Sequence, residues 1–187
     1  MTLSKTLAAI ALLAAGAAHA ESHAETGNPM VGGAAMFPEM NIVENAVNSA
    51  DHTTLVAAVQ AADLVETLQS DGPFTVFAPV NAAFEMLPDG TVETLLQPEN
   101  KGMLTKVLTA HVVAGDISAA EIMKQARASS DGFYHFNAVS GDALSAQVRG
   151  GNVYIYDESG NAGRVTIADV NQSNGVIHVV DTVLLPQ

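Results

Sequence analysis

With no cysteine in the chain, thiol chemistry is excluded, and histidine and carboxylate are the first residue types to weigh for catalysis or metal binding. His111 and His178 stand out, and Asp181 follows the second by three positions. Brought together they would offer two imidazoles to a metal, or an imidazole–carboxylate pair for proton transfer. A zinc site wants a third protein ligand, and a hydrolase wants a nucleophile beside its base. The pattern supplies neither. It predicts core histidines, each bonded to buried backbone, a hydroxyl or a carboxylate, and an Asp181 that accepts backbone N–H groups near a strand end.

Three other clusters call for the same weighing. Asp157-Glu158-Ser159-Gly160-Asn161 is oxygen-rich, but it lacks the spaced ligands and terminal Glu of a calcium loop, so a solvated hairpin turn is expected. Met30, Met36 and Met40, with His23, could offer soft ligands to Cu(I); methionines anchoring a segment in an apolar groove are the expectation. Tyr134-His135-Phe136 reads as the start of a core strand. There is no G-x-S-x-G, no Gly-rich phosphate loop and no H-E-x-x-H. No catalytic, cofactor-binding or metal-ligating residue is assigned.

These residues sit in a chain of 187, with 20 acidic and 7 basic side chains, a formal charge of −13 and 48% hydrophobic residues. That is too apolar for a disordered acidic chain and too poor in bases to bind nucleic acid by neutralising phosphates. The length suits one domain with a core that needs no disulfide or zinc. Residues 1–20 read as a secretory signal peptide. Lys5 gives the positive start, Leu7 to Ala18 is apolar, and Ala18-His19-Ala20 fits a small-x-small site with cleavage near Ala20. The apolar run is shorter than the ~20 residues that cross a bilayer, so no membrane span is expected. The product is expected to be periplasmic or extracellular.

Residues 21–40 are broken by Gly and Pro and are expected to form an extended arm. From Asn41 the order improves. Asn41 with Glu44 looks like a capping box, and apolar spacing predicts short helices near 42–50, 53–60 and 63–68. Phe74–Ala78 reads as a buried strand stopped by Pro79, and Asn81 as the cap of the helix that follows. Another long helix opens at Asn100, and Ser118 with Glu121 starts one that runs to about Ala126. From Tyr134 the pattern turns to β, with candidate strands at 134–139, 143–148, 153–156, 163–168 and 176–184. Helices first and strands second predict an α+β fold rather than alternating β/α units.

Two segments are specific in combination: TVFAPVNAAF at 75–84 and NGVIHVVDTVLL at 174–185, with LTAHVVAGDISAAEI at 108–122 between them. In this order the chain resembles a single fasciclin domain of the bacterial secreted type, over residues 41–186. The resemblance implies a helix-rich N-terminal half packed on a β-sheet wedge formed mostly by the C-terminal half. It implies Phe77, Phe84, His178 and Asp181 as structural motif residues, and Pro79, Val80, Asn81 and His111 as a candidate interaction surface. Val80 stands where the family usually has Thr or Ser, and Ala110 where a Tyr usually precedes the His.

The function implied is a secreted, non-enzymatic interaction module linked to cell adhesion. Its partner would be a protein, a surface glycan or a second copy of the chain. The alternative is a periplasmic carrier of a small ligand or metal ion, which requires a real pocket or a site built from the arm methionines and histidines. A third reading, a hydrolase using His111 or His178, requires either histidine to line an open cleft.

Overall fold

The computed structural model describes residues 27–187; the signal-peptide expectation lies outside the described residues. The described chain begins with a short ladder, β1 (Met30–Val31) against β2 (Ala34–Ala35). Helices α1 (Ile42–Ala46), α2 (Thr53–Ala61) and α3 (Val65–Gln69) follow. Strand β3 (Phe74–Pro79) leads into α4 (Asn81–Glu85), α5 (Thr91–Leu95) and α6 (Lys101–Thr109). Strand β4 (Val112–Ala114) precedes α7 (Ala119–Ala128). The rest is β: β5 (Phe133–Asn137), β6 (Ala143–Arg149), β7 (Asn152–Tyr156), β8 (Ala162–Gln172) and β9 (Gly175–Val180).

Seven strands form one sheet in the order β4-β3-β9-β8-β7-β6-β5. The β5–β9 run is antiparallel and joined by tight turns, as local Gly and Asn signals allow. At its centre β3 pairs parallel with β9, placing Phe77 opposite His178. A strand covered on both faces is mostly apolar, and both central strands are, save for buried Thr75 and His178. Val76, Ala78, Ile177 and Val179 face a core shared with the first six helices. Phe77 and Val180 face a second core with Ile122 of α7 and Leu144 and Ile155 of the outer strands. The sheet is thus a wall between two cores, the α+β wedge that the motifs implied.

Glycine is required where β9 starts. Gly175 has φ +156°, and a Cβ there would lie 2.0 Å from the Phe74 carbonyl oxygen. The beginnings of β3 and β9 can approach only without a side chain at this point.

The segment expected to be an extended arm is folded in its described part. Val31 and Met36 are buried in the helical core, while Met30 is exposed. Asn45, fully buried, fastens it: its Oδ1 accepts from the Phe37 N–H at 2.9 Å, and its Nδ2 donates to the Phe37 carbonyl at 2.8 Å and to Gln172 Oε1.

Candidate functional site

The TVFAPVN turn lies at the end of β3, and its side chains are committed to the fold. Pro79 is buried, and Val80 is half-buried against the helical core. Asn81 does not cap its own helix. It is the first residue of α4, whose N-cap, Val80, has no side-chain capping bond. The amide instead reaches back to the start of α2. Its Oδ1 accepts from Thr54 N–H at 3.0 Å and Thr53 Oγ1 at 3.2 Å, and its Nδ2 donates to the Ala50 carbonyl at 2.9 Å. It satisfies an unpaired donor at a helix N-terminus, but of a helix 27 residues away in the chain. Phe84 packs α4 onto the core as the motif implied.

His111 is only 2% exposed, which removes it from any interaction surface. Its Nε2 accepts from the Leu184 N–H at 2.8 Å, so the ring proton sits on Nδ1 and is donated to the Val107 carbonyl at 2.8 Å. Burial holds its pKa down to about 4. Beside it, Asp157 Oδ2 accepts from the Leu185 N–H at 2.9 Å, while its Oδ1 closes the 157–161 turn on Asn161 N–H. His111 and Asp157 together seat the C-terminal segment.

His178 plays the matching role on β9 with the opposite tautomer. Its Nδ1 accepts from the Asp169 N–H at 3.2 Å, and Nε2–H donates to the Ile117 carbonyl at 2.8 Å. Burial again lowers its pKa. Asp169 occupies an irregularity in β8 with φ 55°, and its Oδ1 accepts the Ala119 N–H at the start of α7. Thr75 adds two bonds, to the Gly115 carbonyl and from the Ile117 N–H. The two family motifs therefore converge on residues 115–119 and fix α7 to the sheet. With both ring nitrogens of both histidines bonded and buried, neither can exchange a proton with a substrate, and the open-cleft requirement of the hydrolase reading is not met.

Asp181 satisfies backbone as expected, accepting from the Arg164 N–H at 2.8 Å, and its second oxygen lies 3.4 Å from Arg164 Nε. This pair forms one side of a groove of about 840 Å³ between α4 and the outer sheet. Val80, Met86, Tyr154, Arg164 and Asp181 line it. Met86 is 65% exposed, and Tyr154 is the cross-strand partner of Arg164. Of the four surface candidates read from the motifs, only Val80 reaches this groove; Pro79, Asn81 and His111 do not line it. Met86, Tyr154 and Arg164 were missed. The available signal was an aromatic residue and an arginine on the outward face of adjacent hairpin strands.

Among the described residues no three His, Asp or Glu side chains come together in a way that suits a metal ion, and no helix is long and apolar enough to cross a membrane. Tyr134 and Phe136 pack on the second core, while His135 is exposed and bonds Asp131 at 2.8 Å.

The wedge, with its helical half and its two motif strands side by side, matches a known family. The family model described as Fasciclin domain matches residues 50–186, and the chain belongs to that family. Protein sll1483 of Synechocystis sp. is 48% identical over 169 residues, covering 90% of this chain and 86% of its own length. Immunogenic protein MPB70 of Mycobacterium bovis is 32% identical over 191 residues, covering 100% of this chain and 88% of its own. Among solved structures, the FAS1 domain pair of the insect cell adhesion molecule fasciclin I superposes with a TM-score of 0.69 at 17% identity. That likeness covers 79% of this chain and 51% of the domain pair, and it establishes the fold.

Proposed function

We propose that the chain is an exported, non-enzymatic interaction module that binds a protein partner outside the cytoplasm through the groove between α4 and the β7–β8 hairpin. The observation that carries this reading is the grouping of exposed Met86 with Tyr154 and Arg164 in one concave site. Methionine, tyrosine and arginine are enriched where protein partners anchor, and a few such residues supply most of the binding energy. Both strands and α4 hold their backbones rigidly beneath the anchors, so little ordering cost falls on the module. The apolar leader with Lys5 and Ala18-His19-Ala20 supports export, and the adhesion molecule among the structural neighbours supports a role in surface attachment.

The absence of cysteine makes the test direct, because one introduced thiol is a unique handle. A photo-cross-linker on Met86→Cys, applied to native envelope and surface extract, is expected to trap a discrete protein. The Tyr154→Ala, Arg164→Ala double variant should weaken that complex by at least tenfold, the effect of losing about 1.4 kcal/mol or more at an interface hot spot. Undiminished affinity in the double variant would move the binding surface elsewhere.

A further inference from the structure

A second site, on the opposite side of the sheet wall from the outer strands, has different chemistry. A recess of about 100 Å³ opens between α1, α2, α3 and the β3–β4 edge. Its floor is the buried aliphatic surface of Leu55, Val59, Leu68, Val76 and Leu108. Val139 lines its edge and is 51% exposed. No charged side chain lines it, although the chain carries 27. Of its four polar wall residues, Thr109 donates its Oγ1 proton to the Thr105 carbonyl at 2.7 Å, both His111 nitrogens are bonded, and Gln60 and Thr67 are exposed.

The aliphatic floor of the recess offers nothing to an ion or a sugar, whose desolvated polar atoms would find no partner there. The groove beside Arg164 and the hollow under α5, lined by Glu85, Asp89 and Glu93, are by contrast charged. An empty apolar void costs stability in proportion to its volume, which an apolar occupant restores. Dry aliphatic cavities of comparable size take up single-ring hydrocarbons. Four of its wall residues, Ile42, Ala46, Leu55 and Val76, also border a smaller void of about 30 Å³ behind them, so the wall has room to yield.

We infer that this recess is a binding site for a neutral hydrocarbon group, a single ring or the end of an acyl chain. The ligand enters past Val139 and stays by burial alone, with no hydrogen bond fixing its orientation. Its source is either a free apolar molecule or a lipid chain, and both present the same surface to the wall. The site is independent of the groove proposed for a protein partner.

The test titrates the purified chain with toluene and with methyl octanoate by calorimetry and thermal shift, using glucose and acetate as polar controls. Saturable binding of either apolar probe is expected, with a raised melting temperature and no response to the controls. Ala46→Phe fills the recess and should weaken binding at least tenfold. Val139→Asp puts a charge at the exposed edge without disturbing the core, and should weaken binding several-fold even where the filled variant folds poorly. Co-sedimentation with phosphatidylcholine vesicles that is lost in Val139→Asp would assign the ligand to a lipid chain; soluble-probe binding without co-sedimentation would assign it to a free molecule. Failure of both probes to bind, or equal affinity in wild type and both variants, overturns the inference. Failure of the Tyr154 and Arg164 variants to change partner binding would leave this site untouched.

Discussion

His111 converts burial into a pH dependence whose sign follows from its hydrogen bonds. Its Nε2 must accept from Leu184 N–H, so the folded protein holds the neutral ring. Its pKa falls from 6.5 to about 4 on folding. Between those values the unfolded chain binds a proton that the folded chain refuses. The stabilisation is therefore complete above pH 6.5 and is lost as pH falls toward 4, with a size on the order of 3 kcal/mol. His178 and His52 are lowered for the same reason and act in the same direction. Urea melts at pH 7 and pH 4 should show a large loss for the wild type. His111→Gln should be less stable at pH 7 but lose less on acidification; an unchanged slope would contradict the assignment. Asn81 makes a second prediction at this scale. Asn81→Ala strips Thr54 N–H and the Ala50 carbonyl of their partner and should cost about 1–2 kcal/mol in a denaturant melt. A change below about 0.3 kcal/mol would mean that water replaces the amide at no cost. Its type and position predict a cap for the helix that follows, and the structure corrects this: Asn81 bonds the start of α2, which lies earlier in the chain and meets it only through the packing of α4.

Among the elements, the outer hairpins were legible and the central pairing was not. Gly-Gly-Asn at 150–152 and Ser-Gly-Asp at 140–142 set turns between alternating strands, so β5, β6 and β7 fall close to their expected ranges. The parallel ladder between β3 and β9 joins residues about a hundred positions apart, and no local period encodes such a partner. β8 also extends beyond the 163–168 expected, to Gln172, because Asp169 absorbs a register shift in a conformation that the alternation hides. The folded arm was missed for a related reason. Val31 and Met36 lie in a segment broken by Gly and Pro with no helix or strand period, and their core is supplied by distant helices. The central pairing predicts a strict requirement at one position. Gly175→Ala would drive a methyl into the Phe74 carbonyl and force the starts of β3 and β9 apart. A loss of more than about 2 kcal/mol is expected, read as a shift of the unfolding midpoint with unchanged slope. Near-wild-type stability would show that the two strand ends can separate freely.

For the molecule as a whole, charge opposes the two cores. The chain carries a formal net charge of −13, and among the described residues exposed pairs join Lys101 to Asp63, Lys124 to Glu121 and Arg164 to Asp181. Exposed pairs of this kind contribute at most about 1 kcal/mol each. Most of the described carboxylates are exposed and repel one another, and the unfolded chain relieves that repulsion by expanding. Salt weakens both effects, so the direction of the salt response reports which is larger. Screening sets in as the Debye length shrinks from about 30 Å at 0.01 M to about 8 Å at 0.15 M. The carboxylates outnumber the bases by almost three to one, so repulsion should dominate. The melting temperature at pH 7 is therefore expected to rise by a few degrees over this range of sodium chloride, about 2–4 °C for each kcal/mol gained. A fall would mean that the ion pairs outweigh the repulsion. The same charge bears on the proposed groove. Arg164 is held by Asp181, so a partner that docks there must match a pre-neutralised pair within an acidic field, and a basic partner's affinity should drop with salt while the module's own stability rises. Measuring both on one preparation separates the two: opposite slopes support an electrostatically steered partner at the groove, and parallel slopes would show that binding follows only the stability of the fold.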